Sequence, residues 1–142
     1  ARVVEFHAGV GAIGLGLAAR HALTLNEIGR GSLKGLVRGL QELGPVGERV
    51  RAAAGPADDQ VDLVDEADLV VVDPPRKGLS PRLLDKLVTT RPPRLADLSC
   101  GLDSFLRDGA FLVGSGLRLR SVTALGYFPF TEHVETLALF ER

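Results

Sequence analysis

Cysteine occurs once in the 142 residues, tyrosine once, at Tyr127, and methionine and tryptophan not at all. A single thiol excludes an intramolecular disulfide, a cysteine-rich zinc site and a self-contained iron–sulfur cluster, and no metal site is expected. So few aromatic side chains leave little surface on which nucleic-acid bases can stack. An excess of charge is missing too: 17 Lys and Arg stand against 18 Asp and Glu, a formal net charge of -1. A nucleic-acid partner must then be held by a local patch or by another domain. Apolar runs fall far short of a membrane span and no secretory signal is visible, so the expectation is an intracellular chain with no membrane partner. Methionine is lacking even at position 1, where the first residues already read as a strand. That is the pattern of a domain cut from a longer chain, although a processed terminus gives the same observation.

What is present suffices for one domain. With 45% of residues hydrophobic, the chain can bury a full core and disorder is excluded for most of it. Val3 to Phe6 reads as a short buried strand running through a glycine turn into a helix. Ala22 to Glu27 reads as a second strand ending in an acid, and Ser32 to Leu43 as a helix with one apolar face. Gly35 and Gly39 either weaken that helix or permit close approach to a sheet. Val50 suggests a short strand and GPADD a turn. Leu69 to Val72 is the clearest strand, stopped by Pro74 and Pro75, and a short helix follows from Pro81 to Val88. Further strands are predicted over Leu95 to Ser99, Arg118 to Leu125 and Val134 to Phe140, with a helix over Leu102 to Val113.

The alternation makes an α/β domain: a doubly wound, mostly parallel seven-stranded sheet covered on both faces. The last two strands are joined by a loop with no room for a crossover helix, so they should pair antiparallel at one edge.

Gly9, Gly11 and Gly14 form G-x-G-x-x-G between a strand and a helix, a turn that lets backbone approach a ligand. Glu27 ends the second strand, where a carboxylate can accept both hydroxyls of a ribose. Glycine motifs of this kind are weakly specific. A nicotinamide dinucleotide and S-adenosylmethionine are both compatible with it. The acidic Glu5, four residues before Gly9, fits the second, near a methionine amino group; its plainer reading is a solvated carboxylate at a strand end.

Asp73-Pro74-Pro75-Arg76 follows the central strand, so it falls at the carboxyl edge where open sheets bind ligands. Cys100 directly follows the next strand on the same edge, ahead of a helix. That position favours a nucleophile over a buried structural thiol. In FPFTEHVETLALF, His133 and Glu135 share a face of the last strand, and a partly buried Glu135 would suit proton acceptance. Cys100 with His133 also suggests a thiol–imidazole pair, as in acyl transfer, but that leaves the nucleotide end unexplained.

Taken together, the segments EFHAGVGAIGL, NE at 26 to 27, DPPRKGL, LSCG followed by SFLRD, and FPFTEHVE resemble the S-adenosylmethionine-dependent RNA uracil-5 methyltransferases, in family order from end to end. The resemblance implies a Rossmann-like class I methyltransferase fold, the cofactor S-adenosylmethionine and a tRNA or rRNA substrate. It implies Cys100 as nucleophile toward C6 of uracil, Glu135 as the base that removes the C5 proton, and Asp73 as the carboxylate that holds the base edge. Glu5, Gly9, Gly11, Gly14, Glu27, Asp58 and Asp73 are the implied cofactor residues, with Glu27 on the ribose. The sequence departs from the family pattern at Gly39, Pro56, Asp97, Gly126 and the Gly101-Leu102 pair, and Asp58 substitutes for an acid usual at Pro56. The family's β-barrel that grips RNA, and its segment bearing an active-site glutamine, have no counterpart in these 142 residues. The chain is therefore expected to be a catalytic domain, the C-terminal part of a longer protein that holds RNA mainly through other domains.

Overall fold

The computed structural model describes residues 1–126 and 135–142. Seven strands form one sheet: β1 (Arg2–Phe6), β2 (Ala22–Glu27), β3 (Arg51–Ala54), β4 (Leu69–Val72), β5 (Arg94–Ser99), β6 (Arg118–Leu125) and β7 (Glu135–Glu141). Their spatial order is β3-β2-β1-β4-β5-β7-β6, and β7 runs antiparallel between β5 and β6. The expected antiparallel pair therefore closes one end, with β6 outermost. Order reverses between β1 and β4, so the loops leaving these two strands diverge and leave a crevice at their carboxyl ends.

Four α-helices complete the described elements: α1 (Arg30–Glu42), α2 (Pro45–Glu48), α3 (Pro81–Thr90) and α4 (Leu102–Gly114). Central strands are apolar on both faces because both are covered. On one face Val4, Phe6, Val70, Val72 and Leu95 pack with Leu83 and Leu87 of α3 and Leu112 of α4. On the other, Val3, Leu23, Leu25 and Val71 pack with Leu36 of α1.

Two local expectations change. The helix expected after the glycine turn is a single 3-10 stretch, Gly14–Leu17. Recrossing a strand of β1's length takes about 16 Å, or about eleven α-helical residues. The chain has fewer between the turn and β2, too few for such an α-helix, so a short 3-10 stretch followed by a further turn makes the return instead. The GPADD turn runs on into 3-10 turns over Ala57–Glu66, which the sequence reading did not assign and which bury Val61, Leu63 and Val64. Gly35 and Gly39 do serve close approach, but to Val10 and Leu15 of the glycine segment, not to the sheet itself.

Leu83 is fully buried between α3 and the sheet, whereas Leu139 on β7 is 41% exposed. Urea unfolding of the 142-residue chain should show Leu83→Ala costing about 2–5 kcal/mol, and Leu139→Ala under about 1 kcal/mol.

Candidate active site

Glu27, at the end of β2, is the organising carboxylate on the β1 side of the crevice. Its Oε1 accepts from the Gly9 N–H at 2.9 Å and its Oε2 from the Gly29 N–H at 2.6 Å. Gly9 and Gly11 have φ of +60° and +88°, which turns the chain back beneath this carboxylate. Glu27, Asp58 and Asp73 line one cavity of about 540 Å³, together with His7, Ile28, Pro56 and Ser80. Asp58 is held there by the Ser80 hydroxyl, which donates to its Oδ1.

The other residues expected at the cofactor do not line this cavity. Gly9 acts through its N–H on Glu27. Gly14 packs against the Glu5 carboxylate so closely that a methyl group there would collide with Glu5 and Leu25. Glu5 itself is 1% exposed. The solvated-carboxylate reading is thereby overturned: β1 is central, so a side chain pointing from either face enters the core. Its position is beneath the glycine turn rather than on the cleft wall.

Cys100 is exposed and lines a second cavity, about 950 Å³, with Arg76, Lys77, Arg107, Ala124 and Thr136. Antiparallel pairing sets Ser99 of β5 opposite Thr136 of β7. One position further along each strand are Cys100 and Glu135, so the pairing brings the thiol-bearing residue and the acid to the same end of the sheet. Glu135 is half-buried and pairs with Leu125 of β6 on its other side. Asp73 lies close enough to feel the Glu135 charge. Glu132 and His133, and with them the thiol–imidazole reading, lie outside the described residues.

Burial raises three carboxyl groups at this edge. Asp73 is pushed up to about 6, first by desolvation and then by Glu135. Glu5 rises to about 7 through desolvation and the Asp73 charge, opposed by a backbone hydrogen bond from Gly14. Asp97 on β5 rises to about 6, mainly by desolvation; the Ser99 hydroxyl, donating at 2.6 Å, works against it, while Asp108 and Asp73 add to it. His7 moves down for the same reason, since burial disfavours its charged form.

Three contributors were missed in the sequence. His7, with φ of +61°, lines the cavity beside Glu27 and Asp58. Asn26 spans to the Ala53 and Gly55 carbonyls and so ties β2 to the loop after β3. Ser80 fixes Asp58 while capping α3 through the Leu83 N–H. Ser80 ahead of Pro81 is a recognisable helix start, and so was a usable signal. The other two depend on contacts between distant segments.

No family model matches the chain. It is 39% identical over 144 residues to an uncharacterized RNA methyltransferase of Protochlamydia amoebophila, a match covering 100% of this chain and 38% of that protein. An uncharacterized RNA methyltransferase of Thermosynechococcus vestitus is 33% identical over 141 residues, covering 97% of this chain and 31% of the relative. The crystal structure of the Pyrococcus abyssi tRNA (uracil-54, C5)-methyltransferase with S-adenosyl-L-homocysteine superposes with a TM-score of 0.81 at 27% identity. That superposition covers 98% of this chain and 34% of the other.

Over its whole length the chain is similar to RNA methyltransferases, and its fold is that of a Rossmann-like class I methyltransferase.

It spans about a third of the length of the curated relatives it matches. The fold extends further: Aeropyrum pernix fibrillarin with bound S-adenosyl-L-methionine superposes at a TM-score of 0.72 and 14% identity, covering 98% of this chain and 65% of that one. Among the described residues no helix is long and apolar enough to cross a membrane.

Unfolded Asp and Glu release their protons near the ordinary values of 3.8 and 4.5, whereas folded Asp97, Asp73 and Glu5 hold theirs to about 6, 6 and 7. The folded state binds more protons in that window, so these groups lower stability as pH rises from about 4 to about 7. Chemical denaturation of Asp97→Asn across this range should show a flatter decline than the parent chain.

Proposed function

We propose that this chain is the methyl-transfer domain of an RNA (uracil-C5)-methyltransferase. The observation that carries the reading is the meeting of exposed Cys100, half-buried Glu135 and Asp73 at one sheet edge, beside the cavity lined by Glu27 and Asp58.

The cavity residues fit S-adenosylmethionine. Each Glu27 oxygen accepts one backbone N–H and keeps a further lone pair for a ribose hydroxyl. Asp58 Oδ2 is left for the adenine amino group, and exposed Ile28 offers an apolar surface to the ring. When bound, the cofactor supplies an electrophilic methyl group.

Uracil is a weak carbon nucleophile, so the difficulty is divided between two residues. The Cys100 thiolate forms a bond to C6, and the electron pair of the C5–C6 double bond becomes available at C5 for the methyl group. Asp73, half-buried and with its proton held to about pH 6, hydrogen-bonds the polar edge of the base, and in its protonated form donates to the oxygen on which charge builds. Glu135 then takes the C5 proton; the electrons of that C–H bond re-form the double bond and expel Cys100 Sγ. The target uridine must leave its stack to reach a thiol at the mouth of a cavity. Gripping the rest of the RNA is assigned to parts of the protein beyond these 142 residues, in keeping with the near-neutral charge and few aromatics.

With 5-fluorouridine in place of uridine there is no C5 proton to remove, so the adduct persists. The full-length protein should form it, as read by intact-protein mass spectrometry. Cys100→Ala should abolish both adduct and turnover while still binding S-adenosylhomocysteine. Glu135→Gln should slow turnover by about 10²–10⁴ and accumulate methylated RNA attached to protein. Turnover by Cys100→Ala, or calorimetric binding of NADH but not of S-adenosylhomocysteine, would overturn the assignment.

A further inference from the structure

The cavity that holds Cys100 carries more positive charge than the chain as a whole. Among the described residues Arg76, Lys77 and Arg107 line it against one carboxylate, Asp103, with Arg107 also paired to Asp108 at 3.3 Å, although the net charge of the chain is -1. The backbone beneath these cations is clamped by the first turns of α4. The Ser104 hydroxyl donates to the Arg76 carbonyl at 2.7 Å, and Arg107 Nη2 donates to the Lys77 carbonyl at 2.8 Å. Asp108, buried at 1% exposure, accepts the Leu79 N–H at 2.8 Å. Gly78 completes the clamp: its φ is +93°, and Arg107, Asp108 and Ser104 leave no room for a side chain there.

A loop of two prolines followed by two cations would ordinarily spread its charges through solvent. Here three separate contacts hold its backbone still, so the Arg76 and Lys77 side chains start from fixed points at the mouth of the thiol cavity. Exposed Leu102, on the same wall, adds an apolar patch. Fixed cations beside apolar surface suit a strand that presents phosphates on one side and bases on the other.

We propose that Arg76 and Lys77, supported by Arg107, form a subsite for the RNA phosphates flanking the target uridine. The inference rests on the methyl-transfer reading and adds to it a backbone contact made by the catalytic domain itself. Neutralising a phosphate releases counterions, so each such contact steepens the salt dependence of binding.

The test measures binding of a uridine-containing single-stranded oligoribonucleotide to the full-length protein between low and physiological salt. Lys77→Gln should reduce the slope of log affinity against log salt by about 0.7, and Lys77→Arg should restore it. Arg82→Gln, an exposed cation on α3 that does not line the cavity, should leave the slope unchanged, and thermal melts check that each variant is folded. A Lys77→Gln slope equal to the parent's, in a protein that still forms the 5-fluorouridine adduct, overturns the subsite and leaves methyl transfer standing. Competition by polyglutamate as strong as by the oligonucleotide would also overturn it, in favour of an acidic protein partner. A parent protein that forms no adduct removes the underlying reading, and the subsite with it.

Discussion

Strand β7 enters the sheet antiparallel, between β5 and β6, so its start meets the end of β5 and not its beginning. Had the final strand been parallel, Glu135 would stand a full strand length away from Cys100. Insertion in this sense brings an acid from near the end of the chain to the edge where β1, β2 and β4 deliver Gly9, Glu27 and Asp73. The other features of the site are adjustments around that meeting: the stiff Asp-Pro-Pro loop, the clamp from α4 and the desolvated carboxyl groups.

Those carboxyl groups are costly. Glu5, Asp97 and Asp108 are almost completely buried, and one oxygen each of Glu5 and Asp97 has no hydrogen-bond partner among the described residues. A buried, unpaired carboxylate is expensive, and holding a proton up to pH 6 or 7 is how the fold lessens that cost. Asp108 is different because it has a definite structural task in receiving the Leu79 N–H. Glu5 holds the glycine turn from beneath, through the Gly14 backbone. For Asp97, the Ser99 hydroxyl donates to one oxygen while the other is left without a hydrogen-bond partner among the described residues, so burial of this carboxyl is poorly compensated.

The cofactor side and the thiol side are separate cavities that share Lys77. Asp73 borders the first and is coupled electrically to Glu135 near the second. A methyl group and its acceptor would thus approach from opposite sides of the Asp73–Lys77 loop. Anything that loosens this loop should affect both sides, and α4 holds it with hydrogen bonds at Arg76, at Lys77 and, just beyond, at Leu79.

Much of this was legible in the residues alone. Alternating apolar runs, glycine and proline punctuation and short helical periods specify the parallel core, because local pattern and burial agree there. DPPR and LSCG were recognisable as strand ends, and strand ends in an open sheet share an edge. Other features were decided only in three dimensions. The sequence placed Glu5 at a strand end but not inside the core, since burial depends on β1 becoming the central strand. Arg107 and Asp108 stand together in the SFLRD segment, but only the fold shows that they clamp a loop some 30 residues away, at Lys77 and Leu79. The charge that each carboxyl group carries was equally hidden. Composition and spacing specify which ionisable groups exist, whereas their protonation depends on the water and neighbours that tertiary packing leaves around each one.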